Sequence, residues 1–393
     1  MTERFDVIVA GAGMVGACAA LSLARCGFRV ALIEPGPIPG EPYPADSSYD
    51  LRVSAISPAS QQILSHLGVW SALDQSRVGH YHQMVIWHEN GDANIAFDCV
   101  ELGKDSLGAI VENRQILQTL LAACEKQANI EWFTPDAIGF LQENSDQNLR
   151  LSLKSGVDLE SELLLGADGR NSNTRTLAGI DRWGGSYDQI AIVASLVTEL
   201  PHRHTAWQRF LSSGPLAFLP LANGESSIVW SCDTELAQEL LEMDEESFCD
   251  AVGDAIEHRL GAIKSIGERL SFPLSWHTCQ RWLENRVLLI GDAAHGVHPL
   301  AGQGVNLGFS DVDVLTKLIG ALKNPWDHRK LRQFERQRKS ETVIATHLFT
   351  GLKWLYGSDN FIVSRLRDFG MHRVQANPWS KRLLMKQAIR NMA

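Results

Sequence analysis

The chain opens on a run of apolar, largely β-branched residues, Phe5-Asp6-Val7-Ile8-Val9-Ala10, which predicts a buried strand. Glycines follow at once, and residues 14–26 then combine helix formers with apolar spacing, so strand, tight turn and helix stand in order. Phe28-Arg29-Val30-Ala31-Leu32-Ile33 supplies a second strand. Farther on, 58–67 reads as a helix started by proline and 114–126 as another with apolar residues at helical spacing. Short apolar runs at 85–87, 95–97, 191–197, 216–220 and 227–230 predict a mostly antiparallel sheet inserted between pieces of a nucleotide-binding domain. Two more runs, Leu163-Leu164-Leu165 and Val287-Leu288-Leu289-Ile290, each lead into a glycine. Residues 34–50, rich in Pro, Gly, Ser and Tyr, read as a surface loop.

The first turn has chemistry of its own. In Gly11-Ala12-Gly13-Met14-Val15-Gly16, Gly11 permits the turn, Gly13 lets a pyrophosphate approach the backbone, and Gly16 allows the helix to pack closely on the strand. A diphosphate would then meet the positive end of the helix. Glu34, at the end of the second strand, can accept hydrogen bonds from ribose hydroxyls and would repel a 2′-phosphate, so an unphosphorylated dinucleotide is expected. This motif does not separate NAD from FAD.

Two later segments do so by resemblance. Gly166-Ala167-Asp168-Gly169-Arg170 and Gly291-Asp292-Ala293-Ala294-His295, the second continuing into Pro299-Leu300-Ala301-Gly302-Gln303-Gly304-Val305-Asn306, resemble the signature segments of the group A flavoprotein monooxygenases. With Leu51-Arg52-Val53-Ser54, Val111-Glu112-Asn113 and Ala217-Phe218-Leu219-Pro220, the resemblance covers nearly the whole chain and narrows to the FAD-dependent hydroxylases of ubiquinone biosynthesis. Tyr81-His82-Gln83-Met84 and Arg259-Leu260-Gly261 are most similar to the branch acting at ring carbon 5 of 2-polyprenylphenols; the branch acting at carbon 6 stays open.

The resemblance implies a fold and a set of contacts. The fold is mixed α/β: a Rossmann-like FAD-binding domain of the p-hydroxybenzoate hydroxylase type (1–75, 105–180 and 278–345), an inserted, mostly antiparallel β-sheet substrate domain (76–104 and 181–277), and a C-terminal helical region (346–393). FAD would be contacted by Gly11 to Gly16, Glu34, Arg52, Asn113, Asp168, Gly169, Asp292, Pro299, Gly302, Gly304, Val305 and Asn306. For Arg52 and Asn113 the plain alternatives are a surface ion pair and a helix cap; for Asp168 a turn, and for Asp292 a helix cap. Gly302-Gln303-Gly304 opens an apolar helix, whose positive end would favour negative charge on a reduced flavin ring. The activity implied is insertion of one oxygen atom from O2 into a polyprenylated phenol, with NAD(P)H as the expected donor near Asp168-Gly169. The cofactor carries that chemistry, so no catalytic side chain is assigned.

Composition agrees with this picture. At 393 residues and 45% hydrophobic the chain can bury a sizeable core. A net charge of -10 argues against general nucleic-acid binding. Seven cysteines without a Cys-x-x-Cys pair point to reduced thiols, not a disulfide frame or zinc site, and no metal site is expected. No charged leader precedes the first strand, which makes a cytoplasmic protein the expectation. His295 and His298 read first as structural hydrogen-bonding residues, and the eleven tryptophans mostly as core.

Residues 351–393 hold eight Lys or Arg against two Asp. In 360–374 and 383–390, apolar residues alternate with Arg365, Arg367, Arg373, Lys381, Arg382, Lys386 and Arg390 at helical spacing. Such helices either pack on the body or dock on the inner membrane surface or a ubiquinone-biosynthesis complex. Two rival activities follow from the same motifs. One is oxygenation of a soluble aromatic acid, with Arg209 or Arg203 as the cation for its carboxylate. The other is a flavin-stabilised, non-catalytic subunit of an assembly.

Overall fold

The structure is a computed structural model describing residues 2–38, 48–89, 93–143, 148–296, 304–356, 370–377 and 381–382. Its first layer is built on the strand Glu3–Ala10, whose inner half is fully buried. That strand runs parallel to Val30–Ile33 on one side and to Asp158–Gly166 on the other. Ile130–Phe133 and Val287–Leu289 extend the parallel core outward, and antiparallel strands complete an eight-stranded sheet. The helices Met14–Arg25, Asn113–Glu125 and Gly304–Ile319 join its apolar strands in the largest core cluster. Their buried positions recur at helical spacing, as in Ile116, Leu120, Leu121 and Cys124.

The second layer is a nine-stranded sheet, antiparallel except where Thr205–Leu211 lies parallel to Gln83–His88. Its centre is formed by Arg182–Thr198, Ser226–Asp233 and Gly214–Pro220. Register fixes which side chains share a face. Leu270, Val193, Val229 and Ala217 stand in one row across four strands. Their chain neighbours Ile192, Ile228 and Phe218 point the other way and pack under the helices Thr234–Glu242 and Glu245–Ala255. A three-stranded sheet of Val53–Ile56, Gly108–Glu112 and Gly79–Tyr81 completes the β structure.

All seven cysteines are free, and six are buried. No helix among the described residues is long and apolar enough to cross a membrane. Of the basic C-terminal region, 351–356 end the helix His328–Tyr356, and 370–377 and 381–382 pack on the body. Met371 joins Ala93 and Ile95 in a small cluster, Gln375 accepts the Ala96 N–H at 3.1 Å, and Lys381 is buried in an ion pair with Glu101. Lys381, expected among the outward charges of an amphipathic helix, is thus turned inward by Glu101. The other basic positions named there, Arg373 and Arg382 apart, lie outside the described residues.

Candidate functional site

The glycine turns meet at one edge of the parallel sheet. Gly11 N–H donates to Ile33 O at 2.8 Å, Ala167 N–H to Ala10 O at 2.8 Å, and Ile290 N–H to Gly166 O at 2.9 Å, so four strand ends stand side by side. This is the carboxyl end of the strands, where doubly wound sheets open a crevice. Gly11 takes a φ of +98°, and a Cβ there would sit 2.6 Å from Ala167 O; one at Gly16 would sit 1.9 Å from Gly11 O. Both glycines are therefore required by the protein's own packing. Gly13 differs, because a Cβ there meets nothing within 4 Å. The helix Met14–Arg25 begins beside it with no side-chain cap, leaving N–H groups directed outward.

A cavity of about 760 Å³ opens over this edge. It brings together Gly13, Met14, Val15, Arg52, Asn113, Gly169, Asp292, Gly304 and Val305 from the residues expected by resemblance. Arg52 is exposed and lines the cavity, with no ion pair among the described residues. Asn113 is the first residue of its helix; its Oδ1 accepts from Ser54 Oγ at 2.6 Å, and its N–H donates to Arg52 O at 2.9 Å. Asp292 is exposed to the cavity, and its carboxylate has no hydrogen-bond partner among the described residues.

Other expected residues build the wall without lining the cavity. Glu34 accepts from Ala12 N–H at 2.7 Å and from Gly36 N–H at 3.1 Å, bracing the first turn. Asp168 accepts from Thr174 N–H at 2.8 Å and from Ser172 Oγ, so its carboxylate braces the first turn of the short helix Asn173–Leu177, whose cap is Ser172. Asn306, fully buried, accepts Ser57 N–H at 3.0 Å and donates to Ala55 O at 2.8 Å, tying the helix Gly304–Ile319 to the strand Val53–Ile56. Pro299, Gly302, Gln303 and His298 lie outside the described residues. His295 Nε2 hydrogen bonds to Asp311 at 2.7 Å, the structural role expected of it. No cluster among the described residues could hold a metal ion.

The ceiling comes from the nine-stranded sheet. Val193, Ser227, Val229 and the stretch 270–275 face the cavity, and none carries a charge. The charged lining, Arg52, Arg170 and Asp292, belongs to the floor and side. At the rim Leu270 and Phe272 are 41% and 36% exposed. Arg209 is absent from the lining: it is buried on the far face of the sheet, where Nη2 pairs with Glu257 at 2.7 Å and Nη1 donates to Ala255 O at 2.8 Å. Arg203 sits in a connecting turn with φ +50° and does not line the cavity either.

Sequence reasoning missed several of these residues. Arg170 donates to both Ser275 O and Ser275 Oγ, fastening the strand Leu270–Cys279 over the cavity, and no local pattern marks that contact. Asp311 did leave a signal: it falls on the buried stripe of its helix, four residues from both Leu307 and Leu315. A carboxylate in that position needs buried partners.

Three comparisons bear on this arrangement. A family model described as FAD binding domain matches residues 4–345. The ubiquinone biosynthesis monooxygenase COQ6 of Danio rerio is 35% identical, covering 98% of this chain and 89% of the relative. The 3-demethoxyubiquinol 3-hydroxylase of Escherichia coli K12 is 33% identical, covering 98% of each. Among solved structures, p-nitrophenol 4-monooxygenase PnpA from Pseudomonas putida DLL-E4 superposes with a TM-score of 0.79 at 17% identity, covering 100% of this chain and 99% of that one. Klebsiella pneumoniae HpxO, complexed with FAD and uric acid, gives 0.72 at 14%, covering 99% and 96%. At such identities the superpositions show the shared fold.

Proposed function

The chain belongs to the FAD binding domain family and is an FAD-dependent monooxygenase, and from that premise we propose that it hydroxylates a polyprenylated phenol or benzoquinol of ubiquinone biosynthesis at ring carbon 5. FAD supplies the oxygen-activating chemistry when bound and reduced. O2 is the co-substrate, and NAD(P)H is the donor we assign.

The chain's own residues suit that cofactor. The open backbone at Gly13 and the uncapped helix beside it would take the diphosphate, with Gly11, Ala12, Met14, Val15 and Gly16 shaping the turn and Glu34 bracing it near the adenosine ribose. The free carboxylate of Asp292 would accept from ribityl hydroxyls. Arg52, Asn113, Gly169, Gly304 and Val305 would line the ring end, supported from behind by Asp168 and Asn306. We extend the same assignment to Pro299 and Gly302.

The observation that carries the substrate class is the uncharged ceiling with its apolar rim. A ring bearing an apolar tail can be desolvated against that ceiling at little cost, whereas a carboxylate would find no cation among the residues of the ceiling itself. Both arginines that a soluble aromatic acid would call for lie elsewhere, which disfavours that rival. The named pathway of the two relatives supports the same choice. For carbon 5 over carbon 6 the support is the sequence resemblance alone. Peripheral contact with the membrane holding such a tail, or with a biosynthetic assembly, would use basic residues of 351–393 other than Lys381.

The test is oxygen uptake with NADPH or NADH by the FAD-loaded protein, with the product's ring carbon assigned by NMR. A prenylphenol is expected to raise uptake while a soluble aromatic acid does not, and the new hydroxyl is expected on carbon 5. Stimulation by the acid alone would overturn the substrate class. A carbon 6 product would overturn only the position, and flavin that no donor reduces would return the non-catalytic subunit to favour.

A further inference from the structure

The loop from Gly291 to His295 is fastened to the protein on several sides. Gly291 has φ +55°, and a Cβ there would sit 3.2 Å from Val15. His277 Nε2 donates to Asp292 O at 2.9 Å, and Arg175 Nη1 donates to Ala293 O at 3.0 Å. The two ends of the loop converge on a single atom. Asp311 Oδ2 accepts Gly291 N–H at 2.9 Å and hydrogen bonds His295 Nε2 at 2.7 Å. Its other oxygen, Oδ1, accepts from Arg338 Nε at 2.7 Å. Arg338 in turn donates to Leu307 O at 3.2 Å and pairs with Glu341. Asp311 is completely buried and Arg338 almost so.

A buried ion pair of this kind contributes little net stability compared with well-packed apolar residues. It does supply position. An apolar residue at 311 could fill the helix stripe, but it would leave Gly291 N–H and His295 without their acceptor. The residue these contacts hold in place is Asp292, whose carboxylate alone in the loop faces the cavity without a partner among the described residues.

We infer that Asp311 is a positioning residue for the flavin: by closing both ends of the Gly291–His295 loop on one carboxylate oxygen, it sets where the Asp292 carboxylate stands in the cavity. His295 and Arg338 serve the same clamp, one as its second loop anchor and the other as its counter-charge. The inference rests on the reading that the cavity holds FAD with Asp292 in contact with it.

The experiment titrates FAD into apoprotein, following flavin fluorescence, for the wild type, D292N, D311N, H295L, H295Q and the doubles D292N/D311N and D292N/H295L. Circular dichroism and thermal unfolding of each apoprotein separate folding from affinity. D311N is expected to weaken FAD binding about tenfold in the folded protein, by loss of charge-assisted hydrogen bonds. Because Asp311 acts through Asp292, the double D292N/D311N should bind no worse than D292N. Should D311N fail to fold, H295L, which leaves Asp311 paired to Arg338 and Gly291, must show the same non-additivity, with H295Q recovering part of the loss. Losses that add in the doubles, or wild-type affinity in folded D311N and H295L, would overturn the clamp while leaving the cavity reading intact. Wild-type affinity in D292N would overturn the Asp292 contact and the inference with it.

Discussion

At the scale of single residues, Gly13 and Gly16 belong to one motif but answer to different forces. Gly16 is fixed by the protein, since its Cβ would collide with Gly11 O, whereas the space at Gly13 is open to a ligand. Gly16→Ala should therefore destabilise the apoprotein by about 1–3 kcal/mol through overpacking. Gly13→Ala should change its stability by less than about 0.5 kcal/mol yet weaken FAD binding at least severalfold. Thermal unfolding of apoprotein beside an FAD titration reads both, and equal losses of stability in the two variants would sink the distinction. The motif spelled out both glycines because their task is local. Glu34, Asp168 and Asn306 show the limit of that legibility: sequence brought them to the site, but their carboxylate and amide groups are engaged by backbone N–H and C=O groups of the wall. A motif names the neighbourhood of a side chain and leaves its partners open, because those partners come from distant segments.

Among elements, legibility followed periodicity. The strands and helices around the first turn were readable because each buries a regular face, as were 58–67 and 114–126, observed as Pro58–His66 and Asn113–Glu125. The strand Leu270–Cys279 was not, because its first four residues are all exposed and no alternation marks them. Arg182–Thr198 was read only over 191–197 for the same reason: its earlier part is largely exposed. How elements seat on one another was equally hidden. A Cβ on Gly308, in the helix Gly304–Ile319, would lie 2.4 Å from Val15 Cγ2 on the first helix. Gly308→Ala should cost about 1–3 kcal/mol in overpacking, partly offset by about 1 kcal/mol of helix propensity. Val15→Ala removes the obstructing methyls, so the double variant should be more stable than Gly308→Ala alone, with a coupling of about 0.5–3 kcal/mol. Strict additivity in a chemical-denaturation cycle would show that the two helices do not meet there.

Over the whole molecule, the two sheets enclose the cavity between a charged floor and a neutral ceiling, and the groups that join them make the assembly acid-sensitive. His277 crosses from the ceiling strand to Asp292 O, and within the second layer His202 holds Leu221 O at 3.2 Å. Burial holds both imidazoles below their ordinary value of 6.5, although the carbonyl each meets pulls the other way. His80 is lowered too, by burial and then by His82 and His204. A histidine with a depressed folded pKa binds protons more readily when unfolded. Its effect is absent above about pH 6.5 and opposes folding as pH falls below that value. Asp311 acts in a lower window: burial pushes its carboxyl up, but His295 and Arg338 together bring it below 3.8. Its contribution is therefore present above the unfolded value and lost as pH falls through the folded one. The unfolding temperature should thus decline in two stages, the first beginning near pH 6.5. In H202Q/H277Q the first stage should flatten while the second, at the acid end, persists. A slope between pH 6.5 and 5 that matches the wild type would assign the early loss to groups other than His202 and His277.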